Sequence, residues 1–307
     1  MKKFSNYQYV EGFPMTERDK KEVGSKFWNE GKWENYVKPF IKEDPKDKTL
    51  VDIGCNAGIF LREAKDMGFE RVIGVEADGG AYRKAIKYRK MILGDYEIYK
   101  KRMETCLKWL PMADYTVLAN AHYYMLIKWW LDYLDKLRYK TRYAIIVSAK
   151  KGERRSKASA DPEHIKEYFK DWEFVGEIPE IPLKDDPFPR RLYGLCFKSK
   201  DLHRERLEDL DNGNHQQDDF YKELDEGKKY NKTNYYKRMK SYRKNQWSAH
   251  KLDTYMKGKA KLYKDIKKNG IREPIILLPN KRIVDGNHRS RMLKNLGYKT
   301  VITRHAP

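Results

Sequence analysis

The chain is short of cysteine, of acid and of long apolar runs. Its three cysteines, Cys55, Cys106 and Cys196, lie far apart and form no C-x-x-C pair. That spacing argues against a zinc site, so no metal is expected, and it points to a reducing compartment. No apolar stretch approaches the roughly 20 residues that span a bilayer. No signal peptide is apparent, and a soluble, cytoplasmic protein with no membrane partner is the expectation. There is no internal repeat and no heptad pattern. Acids are outnumbered, 45 against 66 Lys and Arg, giving a net charge of +21 and a pI near 9.5. Such an excess favours an anionic partner, nucleic acid first, over the bland alternative of a lysine-rich face kept for solubility. What remains is ample for folding: 40% hydrophobic residues supply packed cores, while 36% charged residues and a mean hydropathy of -0.93 describe a polar surface. At 307 residues the chain should form more than one domain.

The organising stretch is residues 49–78. A short apolar run (Leu50, Val51, Ile53) meets the turn Gly54-Cys55-Asn56-Ala57-Gly58, a helical pattern follows through Phe60, Leu61, Ala64 and Met67, and Gly68 stops it. A second apolar run, Val72 to Val75, ends in Glu76. Strand, glycine turn, helix, strand, acid is the plan of a unit that binds an adenosine-containing cofactor: glycines let the backbone approach the ligand, and the acid accepts both ribose hydroxyl hydrogens. The loop is G-x-x-x-G rather than the G-x-G-x-x-G of a pyrophosphate site, and Asp52 precedes it. An acid there repels a pyrophosphate and suits a cation.

These residues resemble motif I of the class I S-adenosylmethionine-dependent methyltransferases, with Asn56 in place of the middle glycine, a mild change because Asn tolerates left-handed backbone. The resemblance implies an α/β fold with a Rossmann-like seven-stranded sheet over residues 49–200. S-adenosylmethionine would be held by Asp52, Gly54, Cys55, Asn56, Gly58 and Glu76. An acid after the third strand, read over residues 96–103, would touch the adenine: Glu104, with Asp95 as the alternative. The fourth strand, residues 114–120, ends in Asn120-Ala121-His122-Tyr123, where the family handles its acceptor. Asn120 and Tyr123 fit the ends of the N-P-P-Y pattern of base-amine methyltransferases, but Ala121 and His122 replace both prolines. Asn120 would accept an amine hydrogen, Tyr123 would stack on a base, and His122 is either a general base or a satisfied loop residue. No Pro-Cys dipeptide occurs, which argues against cytosine methylation through a cysteine nucleophile. Residues 1–48 read as an aromatic lead-in (Phe27, Trp28, Trp33, Tyr36, Phe40), either a lid or a helix packed on the sheet.

Residues 201–250 read as a basic, tyrosine-rich helical linker able to grip phosphates and stack bases through Tyr236 and Trp247, with a solvated helix face as the equal alternative. The segment 251–307 reads as helix, strand, turn, strand, helix, strand, with Asp285-Gly286-Asn287-His288-Arg289 at a strand-to-helix turn. It resembles a small α+β ParB/sulfiredoxin-like domain, whose phosphate-contacting G-x-H-R is matched by Gly286, His288 and Arg289; with the N–H groups at the helix start, Asn287 included, this implies a nucleoside triphosphate with magnesium there. Asp285 is then a candidate to hold a metal or activate a hydroxyl. Asn287 stands at sulfiredoxin's catalytic cysteine, so that activity is not expected. The resulting expectation is a methyltransferase acting on nucleic acid, fused to a phosphate-binding module. Its rivals are a small-molecule or protein acceptor with a kinase-like second domain, and a nucleotide-gated DNA-binding protein with a vestigial methyltransferase fold.

Overall fold

The computed structural model describes residues 31–149, 161–179, 192–210, 217–244 and 246–306. Phe27, Trp28 and residues 180–191, between the last two strands of the first sheet, lie outside the described residues. The chain divides into two compact units, Met1–Asp201 and Leu202–Pro307.

The first unit is built on a seven-stranded sheet in the order β3-β2-β1-β4-β5-β7-β6. Its strands are β1 (Thr49–Ile53), β2 (Arg71–Glu76), β3 (Glu97–Lys100), β4 (Ala113–Ala119), β5 (Thr141–Ala149), β6 (Glu173–Ile178) and β7 (Leu192–Lys198). The first five are parallel; β7 runs antiparallel to β5 and β6. Helices α1 (Ile59–Asp66), α2 (Gly79–Met91), α3 (Met103–Cys106), α4 (Ile127–Leu137) and α5 (Pro162–Tyr168) make the crossovers. The central strands are apolar on both faces because both faces are covered. Leu50, Val117, Ile145 and Val147 pack with α1 and α2, while Val51, Ile53, Ile73, Leu118 and Ile146 pack with α4 and α5. The lead-in belongs to the first of these cores. Trp33, Tyr36 and Val37 are fully buried, Trp33 lies 5.6 Å from Phe60, and Gly194 leaves room for the Tyr36 carbonyl and the Phe40 ring.

At the amino ends of the strands a charge network fixes the sheet. Arg142 makes two bonds to Glu43, at 2.8 and 2.9 Å, and one of 3.2 Å to buried Asp114, whose other oxygen accepts the Thr49 N–H at 3.0 Å. This ties β1, β4 and β5 together at the end opposite the glycine loop.

The second unit has a four-stranded sheet in the order β10-β9-β11-β8, from β8 (His203–Arg206), β9 (Ile275–Leu277), β10 (Ile283–Asp285) and β11 (Thr300–His305). Its helices are α6 (Asp218–Asp225), α7 (Asn234–Tyr242), α8 (Ala249–Asn269) and α9 (Asn287–Asn295). Residues 201–250 are therefore not a free linker. They supply the edge strand β8, paired with β11, and they bury Phe220, Tyr221 and Tyr235. The reason is the flanking apolar residues: Leu202, Leu207 and Leu210 are buried and hold an otherwise polar segment in the unit.

Candidate functional site

Strand order in the first sheet reverses between β1 and β4, which lie side by side although β2 and β3 come between them in sequence. Open α/β sheets take ligands at the carboxyl ends of the strands beside such a reversal. The glycine loop sits there. Its first two N–H groups, of Gly54 and Cys55, both donate to the Val75 carbonyl (2.8 and 3.1 Å), so the loop is sewn to the end of β2. Gly54 (φ +80°), Asn56 (φ +50°) and Gly58 (φ +87°) all take left-handed backbone. A Cβ on Gly54 would stand 2.9 Å from that of Ala121, so the loop after β4 abuts the loop after β1. The structure thus brings Asp52, Gly54, Cys55, Asn56, Gly58 and Glu76 together, with Asn120 on their border.

Glu76 is almost buried, and each of its oxygens already accepts one backbone N–H, from Asn56 at 2.9 Å and Asp78 at 2.7 Å. A third backbone N–H, of Ala77, also bonds the carboxylate, which has lone-pair capacity beyond these three bonds. Burial raises its pKa, against those same N–H bonds. Asp52 is 2% exposed and pairs across the ladder with Gly74. Burial and the nearby Glu76 carboxylate push its carboxyl up to about 8. Three buried oxygens around the loop have no hydrogen-bond partner among the described residues: Asp52 Oδ1, Asn56 Oδ1 and the Tyr96 hydroxyl. The last lies 3.9 Å from where a Cβ on Gly58 would stand. A buried polar atom left unpaired costs about 1–3 kcal/mol, so three around one loop fit a polar, cationic ligand. Tyr96 escaped the sequence reading; only its aromatic character at the head of a strand marked it.

The residues expected to handle an acceptor separate. Asn120 caps β4 in left-handed backbone (φ +56°), its N–H on the Val147 carbonyl at 2.8 Å. His122 is completely buried, with its ring 5.6 Å from Trp130 and Nε2 3.5 Å from Ser148 Oγ. It packs on the α4 side of the sheet. The side chain of Tyr123 lies outside the described residues. The third strand ends at Lys100, not residue 103, because Lys100, Lys101 and Arg102 end the apolar alternation and Arg102 opens α3. Glu104 is therefore an exposed residue on that short helix. Asp95 precedes β3, at the opposite end of the strand from the loop, and pairs with Lys65 at 3.4 Å.

In the second unit the turn predicted to bind phosphate is closed on itself. Arg289 pairs with Asp285 at 2.8 Å, and the Gly286 N–H donates to the other Asp285 oxygen at 2.7 Å. Asn287 opens α9, and Gly286 (φ +95°) precedes it. His288 points instead into a buried basic cluster. Gln217 Oε1 accepts from both Lys259 Nζ (3.0 Å) and His288 Nδ1 (2.8 Å), which leaves His288 Nε2 to accept from the Tyr255 hydroxyl at 3.2 Å. Lys259 is 5% exposed, has no ion pair among the described residues, and lies over the rings of Tyr235 and Tyr255 at 5.2 and 4.9 Å. Burial and neighbouring Arg291 lower its pKa to about 8; burial, Lys259 and Arg291 lower that of His288 to about 4. Buried Arg291 lies 3.8 Å from Asp218. Lys259, Arg291 and Gln217 were invisible in sequence, where Lys259 is one of many lysines. Among the described residues, no group of three or more His, Cys, Asp or Glu could hold a metal ion.

No protein-family model and no curated protein matches the chain. Solved structures do resemble it. The PH0226 protein from Pyrococcus horikoshii OT3 is 13% identical, with a TM-score of 0.47 over 57% of this chain and 92% of that one. A SAM-dependent methyltransferase from Aquifex aeolicus is 18% identical, with a TM-score of 0.42 over 55% of this chain and 93% of that one. The bifunctional kinase-methyltransferase WbdD is 15% identical, with a TM-score of 0.45 over 67% of this chain and 48% of that one.

Proposed function

We propose that the first unit is an S-adenosylmethionine-dependent methyltransferase. The observation that carries this reading is the loop at the strand reversal, with buried Asp52, Asn56 and Tyr96 oxygens left without partners among the described residues and Glu76 fixed by backbone N–H groups. When bound, the cofactor supplies a methyl group on a sulfonium centre. Glu76 accepts the two ribose hydroxyl hydrogens. Asp52, in its ionised form, accompanies a positive charge that it lacks in the free protein. Asn120, rigid in its left-handed cap, orients the acceptor beside Gly54, while His122 supports the turn from beneath. Methyl transfer needs chiefly alignment, and this chain supplies it from backbone and two loops. The excess of 66 cations over 45 acids favours nucleic acid as acceptor over a small molecule or a protein. The test is transfer of radiolabelled methyl to RNA, DNA and cell extract in parallel. Label in nucleic acid, lowered at least tenfold by Asn120→Ala with cofactor affinity unchanged, is the expected result. Absence of label from every acceptor would favour a binding protein on a methyltransferase fold.

A second reading concerns the second unit, and the buried cluster of Lys259, His288 and Arg291 favours it. Buried charge is tolerated only where something compensates it, and here the acceptors on Lys259 are neutral. A phosphate group of a nucleotide would supply the missing charge, in keeping with the ParB/sulfiredoxin-like resemblance. The contacts shift from Arg289, committed to Asp285, to Lys259 and Arg291. Titration with ATP, ADP, CTP and GTP, each with magnesium, tests it: binding lost in Lys259→Met but kept in Arg289→Ala is expected. Binding to none of the four removes the reading.

A further inference from the structure

The second unit carries a charge imbalance well beyond the cations of the Lys259–Arg291 cluster. It holds 26 Lys and Arg against 13 Asp and Glu, and residues 228–268 alone hold 15 against 2. Both acids of that stretch are engaged internally. Asp253 accepts the Tyr230 hydroxyl at 3.0 Å, and Asp265 pairs with Arg272 at 2.9 Å. On α8 the apolar side (Leu252, Met256, Tyr263, Ile266) is buried, and the opposite side shows Lys257, Lys261, Lys264 and Lys268. These recur at three- and four-residue steps, one above another along the helix. Lys257, Lys261 and Lys264 make no ion pair among the described residues.

At the start of the same helix the cations are held by aromatic rings. The Arg243 guanidinium lies 5.1 Å from the Tyr242 ring and 5.3 Å from that of Trp247, and Lys251 Nζ lies 5.2 Å from Trp247. Gln246 accepts a hydrogen bond from Arg243 as well. Trp247 in turn packs edge-on against Tyr255 at 5.1 Å, which anchors the ladder to the unit. Tyr242 is 73% exposed, a large ring in water beside a fixed guanidinium.

We propose that the surface formed by α7 and α8 docks a nucleic-acid strand. The lysine row follows the phosphates, and Tyr242 offers a ring on which an unpaired base stacks. Charge complementarity selects a polyanion, and the exposed ring beside Arg243 selects one with aromatic bases. A lipid surface fits less well, because membrane-lying helices insert their apolar side, which α8 has buried in its own core. This inference deepens the nucleic-acid reading given above and rests on it for the acceptor, though not for methyl transfer.

The test is fluorescence anisotropy of labelled single-stranded RNA, single-stranded DNA and duplex DNA with the full chain, without cofactor, over a range of salt. The account expects affinity that falls steeply with salt. The triple variant Lys257→Gln, Lys261→Gln, Lys264→Gln should lose at least tenfold, with a log–log salt slope shallower by about 2 on single strands. Tyr242→Ala should weaken single strands about tenfold and duplex little. Unaltered binding by the triple variant would overturn the proposal, as would preference for phosphatidylserine vesicles over all three nucleic acids. Should the triple variant fail to fold, lysine acetylation of the wild-type complex reads the same surface. Protection of Lys257, Lys261 and Lys264 supports the proposal, and protection confined to other lysines refutes it. Docking without methyl transfer would leave this surface standing and remove only the enzymatic reading.

Discussion

At the scale of single residues, both sites are marked by buried ionisable groups whose pKa values are displaced toward the neutral form. Asp52 is the sharper case. Its carboxyl rises from 3.8 to about 8 through burial and the Glu76 carboxylate. Between those values the folded chain keeps a proton that the unfolded chain has lost, so stability falls as pH rises through the window. Asp52→Asn should flatten that slope, making the variant more stable than wild type at pH 7.5 and no more stable at pH 4; urea melts at both values measure it. Lys259 has the mirrored sign. Its pKa falls from 10.5 to about 8, so the cost of burying it is full below 8 and fades toward 10.5. Lys259→Met should stabilise the free protein at pH 7 by about 1–3 kcal/mol, as apolar replacement of buried charge often does. Thermal melts with and without ATP and magnesium check both halves: a raised midpoint, and no further gain from nucleotide. Asp52 and Glu76 were legible in sequence because their chemistry and spacing are local. Lys259 and Arg291 were not, since only the packing of α6, α8 and α9 distinguishes them from surface cations.

At the scale of elements, the β1–α1–β2 unit is held by fit as much as by apolar area. Gly74, on β2, faces α1 so closely that a Cβ would stand 2.6 Å from Leu61 Cδ1 and 2.7 Å from Cys55 Sγ. Gly74→Ala should cost about 1–3 kcal/mol by overpacking and weaken cofactor binding through the displaced loop; denaturant melts and a binding titration on one preparation read the two effects. At the other end of the strands, Arg142→Met removes the cation between Glu43 and buried Asp114, leaving Glu43 only Lys48 at 3.6 Å. A loss of about 3–5 kcal/mol is expected there, with cofactor affinity unchanged if the variant folds. The sequence made β1, α1 and β2 plain, because apolar runs and glycines punctuate them. It hid β8, whose four residues His203-Arg204-Glu205-Arg206 show no apolar alternation and become a strand only by pairing with β11.

At the scale of the whole molecule, charge divides unevenly. The first 201 residues hold 40 Lys and Arg against 32 acids, and the last 106 hold 26 against 13. The division between units at Asp201/Leu202 follows a change in composition that the sequence displays. The absence of a further boundary near residue 250 does not, because buried Phe220, Tyr221 and Tyr235 make a basic segment part of a core. Both proposals for the second unit follow from that packing, one beneath its surface and one upon it. The account as a whole stands on the first unit, and a calorimetric titration of S-adenosylmethionine into wild type and Glu76→Gln addresses it most directly. Saturable binding at one site per chain, weakened in the variant by about 1.5–3 kcal/mol, is the predicted result. No saturable binding by wild type, or equal affinity in the two proteins, would contradict it.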